Sequence, residues 1–346
     1  MRYWAIVLMM MLFLIAGLVH AADDPVQVKS DQIWGDTKKK LTYMEGNVRI
    51  VQGQTIITTA KTKVDLDKKV AIFEDKVELT HPDVTIDADN LEYNFKKKNG
   101  TFSHHVILSR KEVKDKQGKV TKDALKLTAA ELYFESDTKN FVAKREGVVE
   151  HKEFTGTADS ISYNDKKQEL LFKGNADIKR PNNEDIKGEE IIINTQTNSF
   201  IVKDKVNLVN EDLTIVGDHL EYDYKKKQGT FVDNVVLNRA ETKDSKGKVT
   251  KDHFELITSG LYFESATKNF VTQSKGTVEH KDFTGSADQI EYLDSLQQLK
   301  FKNNAHLKRP KGEEINGDLI TIYIKDKSFV VTQHVAINFK VDSDEK

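Results

Sequence analysis

The stretch Val84-Thr85-Ile86-Asp87-Ala88-Asp89-Asn90-Leu91-Glu92-Tyr93-Asn94-Phe95 decides the fold. Its apolar residues Val84, Ile86 and Ala88 share one parity, and Leu91, Tyr93 and Phe95 share the other. Alternation at period two marks strands with one buried face. A parity flip with no turn chemistry between the halves requires a bulge or corner, where one extra residue lets the chain bend and keep its apolar side inward. The small Ala88 fits where backbones crowd at that corner. The same order of small residue, acid, any residue, Leu or Ile, any residue, Tyr or Ile begins again at Ala158, Gly188, Gly217, Ala287 and Gly317. Its acids, Asp89, Asp159, Glu189, Asp218, Asp288 and Asp318, are expected to cap free N–H groups at the corners.

Outward from this corner the chain repeats. A small apolar residue that opens a strand after a polar turn recurs as Val48, Val77, Val106, Val148, Ala176, Val206, Val235, Val278, Ala305 and Val335, a spacing close to thirty. Two units are stretched by Lys111 to Lys126 and its copy Glu241 to Glu255, rich in Lys, Asp and Gly, which read as protruding hairpins. A longer period overlies the short one. Leu132-Tyr133-Phe134-Glu135-Ser136 returns as Leu261-Tyr262-Phe263-Glu264-Ser265, and Lys179-Arg180-Pro181 as Lys308-Arg309-Pro310, each displaced by 129 residues. Repeats in register with no Pro/Ser/Gly linker imply one continuous stack. The expected fold is therefore all-β: two facing antiparallel sheets of stacked strand pairs, ten strands to a sheet and on the order of 50 Å long. The expected segments are 1–21 as a leader, 33–200 as the first copy and 201–340 as the second.

The chain has 346 residues and no cysteine, so core and backbone ladder must hold it without disulfides. Lys and Arg number 53 against 55 Asp and Glu, a net charge of −2, which lacks the one-sided basic field that nucleic-acid binding needs. Arg2 before the apolar run Tyr3 to Val19, with Val19-His20-Ala21 as small-residue cleavage site, reads as a signal peptide; an uncleaved anchor is the alternative. No serine–histidine–acid order, phosphate loop or paired-carboxylate motif stands out, so neither an enzyme nor a cofactor is expected.

Gly46-Asn47-Val48-Arg49-Ile50, then Asp75-Lys76-Val77-Glu78-Leu79 and the Ala-Asp-x-Leu-x-Tyr corner, resemble the OstA-like modules of the lipopolysaccharide transport system. The layout is similar to that of the periplasmic bridge protein of that system, with about twice as many units. The resemblance covers about Ile33 to Phe339. It implies a twisted open β-jellyroll whose interior groove carries the acyl chains of lipopolysaccharide between inner and outer membrane, with jellyrolls of the transport components joined end to end. Head-to-tail self-association is compatible with the same edges. An adhesive or structural scaffold with a closed core, and an anchored inner-membrane component, are the competing readings.

A dry groove stabilises an acyl chain by about 0.8 kcal/mol per CH₂. The expected groove residues are Ile57, Val77, Leu79, Ile86, Leu91, Tyr93, Val106, Leu108, Phe134 and Ile161 in the first copy. Tyr163, Val206, Leu208, Ile215, Leu220, Tyr222, Leu237, Phe263, Ile290 and Tyr292 continue the set. The outer strands, with Val48 and Ile50 at one end and Val335 and Ile337 at the other, are expected to meet neighbouring jellyrolls through unpaired backbone. Lysine clusters at Lys38 to Lys40, Lys96 to Lys98 and Lys225 to Lys227 read as solvated turns. No metal site is expected from His104-His105, Glu150-His151 or Glu279-His280, because strand neighbours point to opposite faces.

Overall fold

The structure, a computed structural model, describes residues 24–339 except residue 182. The N-terminal segment, with its leader or anchor reading, lies outside the described residues. Strands dominate, and the helical structure among the described residues is a single 3₁₀ turn, Asp294–Leu296. Among the described residues one antiparallel ladder of 25 strands runs from Val26 to Asn338. Five successive pairs of these strands continue one another across a bend, such as Val84–Ala88 with Asn90–Asn94, so the ladder has twenty rungs.

Each rung bends once near its middle. In the strand Leu41–Gln52, Glu45 faces Lys61 and Val48 faces Thr59, so Gly46 and Asn47 oppose one partner residue. Both have left-handed backbone, at φ 77° and 46°. The same paired left-handed residues recur as Asp75-Lys76, His104-His105, Arg145-Glu146, Gly174-Asn175, Asp204-Lys205, Asp233-Asn234, Asn303-Asn304 and Gln333-His334. These segments are therefore bulges inside continuous rungs, not the strand-opening turns expected from their polarity. Two left-handed residues in succession re-aim the strand without ending its ladder. In two units the residue after the bend is Gly147 or Gly276, so the true equivalent of Val278 is Val149, not Val148.

Because every rung bends, each contributes one half to each of two faces. One face ends in four-residue turns that hold the lysine clusters; the other ends in short turns and carries the two protruding hairpins, Val113–Lys114 with Val120–Lys122 and Thr242–Lys243 with Val249–Lys251. Sharing all rungs between both faces makes the stack roughly 90 Å long at about 4.8 Å per strand, nearly twice the length expected from ten strands to a sheet. The ladder starts at Val26, ahead of Ile33, and the strand Ser199–Asn210 crosses the boundary expected at 200/201 without a break.

Candidate functional site

The interior is built by the inward parity of both faces. All twenty expected groove residues are buried, none more than 4% exposed. Half of them, including Ile57, Leu79, Ile86, Leu108 and Leu237, line the hairpin face, and half, including Leu91, Phe134, Ile161, Leu220 and Ile290, line the turn face. The apolar column is continuous from Met44 to Ile324. It is packed tightly enough that a Cβ on Gly156 would meet Phe172 Cε1 and Ile178 Cδ1 at 2.6 Å. The groove expected from the resemblance is thus present as a closed core, because side chains of the two faces meet across it.

At the bends, the corner acids do not cap N–H groups with their carboxylates as expected. Each reaches the second left-handed residue of the bulge 16 positions later. Asn175 Nδ2 donates to Asp159 at 3.0 Å, Asn234 to Asp218 at 2.6 Å and Asn304 to Asp288 at 2.7 Å. Lys205 takes that place against Glu189, and His105 and His334 against Asp89 and Asp318. Asp31, which the sequence motif did not include, holds Asn47 in the same way at 2.9 Å. Left-handed backbone costs a residue with a Cβ about 1–2 kcal/mol, and this bond offsets part of it. The Asp89 carbonyl and N–H also take part, through Lys76 N–H and the His104 carbonyl.

Opposite the bends, the free margins of the two faces meet along a seam. Successive rungs that end on the hairpin face finish in an inward polar residue: Gln52, His81, Arg110, His151, Arg180, Asn210, Arg239 and His280. Gln52 Nε2 donates to the Phe95 carbonyl at 2.8 Å, 43 residues away on the turn face. Arg110 donates to the Tyr163 hydroxyl, and Lys122 pairs with Asp165 beside it. Arg180 bonds Glu184, the Tyr222 hydroxyl at 3.0 Å and the Tyr224 carbonyl at 2.8 Å. Arg239, fully buried, bonds Tyr292, Asp294 and, at 2.9 Å, Asp212. Lys139 pairs with Asp83, and Lys268 with Asp212 at 2.7 Å.

This arrangement obeys the 129-residue period residue by residue. Asp83–Lys139 returns as Asp212–Lys268, and Arg110–Tyr163–Asp165–Lys122 as Arg239–Tyr292–Asp294–Lys251. Tyr93–Ser136 returns as Tyr222–Ser265. Burial pushes the Tyr163 phenol up to about 12, and raises Tyr222 and Tyr292 as well, so all three remain neutral donors and acceptors. Burial drives the Asp83 carboxyl up, but Lys139 and Lys122 more than offset it and hold the group below its ordinary range. Burial lowers the imidazoles of His81, His151 and His280.

Tyr93, Tyr163, Tyr222 and Tyr292 therefore serve the seam with their hydroxyls, not only the apolar interior that their parity predicted. The arginines and their carboxylates escaped the sequence reading. A signal was present: Arg110 and Arg239 close equivalent strands, and Lys179-Arg180-Pro181 was visible as a repeat mark without any indication that Arg180 is buried.

At the ends, Val48 and Ile50 are buried, 1% exposed, and do not form an edge. Their strand is covered by Val26–Lys29 and Gln32–Asp36 on one side and Thr55–Asp65 on the other. The edge at that end instead exposes Val26, Ile33 and Trp34. At the other end, Ala336–Asn338 pairs with Glu314–Tyr323 alone among the described residues, and Val330, Val335, Ile337 and Phe339 are exposed.

The family described as LptA/(LptD N-terminal domain) LPS transport protein matches residues 27–78, 57–199 and 214–328, well over half of the chain. The chain belongs to this lipopolysaccharide transport family. No curated protein matches it. Among solved structures it is similar to LptH, the LptA homologous periplasmic component of the conserved lipopolysaccharide transport device from Pseudomonas aeruginosa. The identity is 16%, over 44% of this chain and 83% of that one, with a TM-score of 0.23. Among the described residues no helix is long and apolar enough to cross a membrane.

Proposed function

We propose that this protein carries lipopolysaccharide across the periplasm with the acyl chains in the jellyroll interior, as a lengthened segment of a bridge between inner and outer membrane. The observation that carries the reading is the unbroken apolar column from Met44 to Ile324, closed along one side only by side-chain contacts. Backbone hydrogen bonds between turns run along each margin, as from Ser136 to Lys98 and from Ala240 to Asp212. Every polar contact found across the seam among the described residues involves a side chain. A chain that enters between the faces needs no ladder bond to break. The two copies of the 129-residue repeat act in this reading as one path, and the exposed apolar ends join it to neighbouring jellyrolls.

A closed structural scaffold is the second reading, and the burial of all twenty interior residues favours it. Photo-crosslinking separates the two. A photoreactive amino acid at Ile86 or Leu220 is expected to label radioactive lipopolysaccharide. No label at either position, with a known carrier labelled in parallel, sinks the carrier reading and leaves the scaffold.

A further inference from the structure

The buried arginines of the seam are spaced at equal intervals. Arg110, Arg180 and Arg239 end the strands Asn99–Arg110, Glu169–Arg180 and Gln228–Arg239, each four rungs from the next. That spacing is about 19 Å at ~4.8 Å per rung. Each guanidinium lies on the hairpin face and bonds a tyrosine hydroxyl of the turn face, 42 to 53 residues further on. In two of the three, a lysine from a protruding hairpin joins the arginine at a carboxylate of the turn face: Lys122 at Asp165 and Lys251 at Asp294, with Asp212 of the hairpin face a further partner of Arg239 and Lys251. Nε of Arg180 and of Arg239 is buried without a hydrogen-bond partner.

A core that only needed to be shut would be more stable with apolar residues at these places, since buried ion pairs seldom repay their desolvation. Arginine is instead the side chain whose planar fork accepts carboxylate and phosphate alike, in bidentate geometry. Arg110, Lys122 and Lys139 around Asp83 and Asp165 leave one positive charge in surplus at this station, which a doubly charged oxyanion in place of Asp165 satisfies better. The stations sit where the lips meet, directly above the apolar column. A headgroup bound there has its chains pointing between the faces.

We propose that the seam is a loading slit for a phosphorylated amphiphile: headgroup phosphate replaces Asp165 and Asp294 at Arg110–Lys122 and Arg239–Lys251, the lips part, and the acyl chains pass into the interior. The inference rests on the carrier reading above and adds where the lipid enters and which groups it displaces. The even spacing of the arginines makes the seam a series of stations along the stack, with Arg180 and Glu184 between the outer two. No covalent step is involved; one anion replaces another at the same cations.

The absence of cysteine allows a direct test on the full chain. Pro82 and Thr138 are exposed residues beside the Asp83–Lys139 pair; exposed Glu211 and Ala266 lie near the Asp212–Lys268 pair, where Glu211 is a second partner of Lys268. The double variants Pro82→Cys with Thr138→Cys, and Glu211→Cys with Ala266→Cys, keep Asp83, Lys139, Asp212 and Lys268; the second removes only the Glu211 contact to Lys268, a loss shared by its joined and unjoined forms. Joined by a short bis-maleimide, they are expected to take up lipopolysaccharide at least tenfold less than the same variants left unjoined. Equal uptake by joined and unjoined protein overturns the slit. No uptake by unjoined or unaltered protein overturns the carrier reading itself, and the slit with it.

The phosphate arm uses Lys122→Gln with Lys251→Gln, at partly exposed positions, with folding checked by circular dichroism. Unaltered protein is expected to prefer intact over dephosphorylated lipopolysaccharide at least fivefold, and the double variant to lose that preference. No preference in the unaltered protein refutes the exchange of phosphate for carboxylate. Spin labels on the Pro82 and Thr138 positions are expected to separate on adding lipopolysaccharide and not on adding inorganic pyrophosphate. Separation with pyrophosphate alone would make the ligand a free anion and refute the amphiphile.

Discussion

The guanidinium carbon of Arg110 lies 4.7 Å from the ring centroid of Tyr163, a residue 53 positions further along the chain and on the opposite face of the jellyroll. Arg239 stands over Tyr292 in the same way at 5.2 Å. Burial strengthens such cation–aromatic contacts and the hydrogen bonds that accompany them, and it makes the loss of one member expensive.

Arg239→Ala removes the fully buried cation between Asp212 and Asp294 and leaves them only the partly exposed Lys251 and Lys268. Breaking a buried pair from one side costs about 3–5 kcal/mol. The expected result is a clear fall in the urea midpoint. Lys205→Ala, which removes an exposed partner of Glu189 at a bulge, is expected to lower the midpoint far less. Similar midpoints for the two variants would show that the seam contributes no stability.

Gly156 and its repeat copy Gly285 report how closed the interior is. A Cβ on Gly285 would stand 2.6 Å from Phe301 Cε1, as one on Gly156 would from Phe172. Overpacking of a filled core costs about 1–3 kcal/mol, so Gly156→Ala is expected to lower the thermal midpoint. A neutral or stabilising result would mean that the two faces stand further apart in solution.

The bulges make a prediction of opposite sign for glycine. Asn234 has φ 50° and bonds Asp218. Asn234→Ala loses the bond and keeps the left-handed backbone, whereas Asn234→Gly loses the bond and removes the strain. The glycine variant is expected to be the more stable of the two by about 1 kcal/mol, measured by chemical denaturation. The reverse order would locate the cost elsewhere than in the backbone.

Stability is expected to fall as pH drops below about 6.5, the ordinary histidine value. Burial lowers His81, His151 and His280 in the folded chain, so the unfolded chain binds protons first. Where the unfolded state holds more protons, stability rises with pH; the histidine contribution is full above the unfolded value and lost progressively toward the depressed folded ones. His334, raised by Asp318, works in the opposite sense but is exposed. Urea titrations at pH 7.5 and 5.5 check this, and His280→Gln is expected to flatten the difference.

At the exposed end, Val335 and Ile337 lie on or beside a strand paired on one side only among the described residues. In the bridge reading Val335→Pro weakens capture of a neighbouring jellyroll while the circular-dichroism spectrum and melting curve stay unchanged. Undiminished capture would remove this edge from the interface.

The sequence by itself determined the strands, the bends and the duplication. Alternation through Val84 to Phe95, its change of parity at Ala88, and the return of whole motifs after 129 residues are carried by neighbours along the chain, so they can be read without coordinates. Twenty interior residues followed from parity alone, because burial in a strand is a property of every second position. What only the tertiary structure decided lies between rungs. Gly46-Asn47 bends a strand instead of ending it because Asp31 and the flanking ladder hold two left-handed residues in place. Val48 and Ile50 lost their place at the edge because Val26–Lys29 and Gln32–Asp36 fold over them. Above all, the seam joins Arg110 to Tyr163 and Arg239 to Tyr292 across three rungs. No period along the chain encodes that contact, since the bend and twist of the stacked rungs bring the two margins together only once the whole ladder has formed.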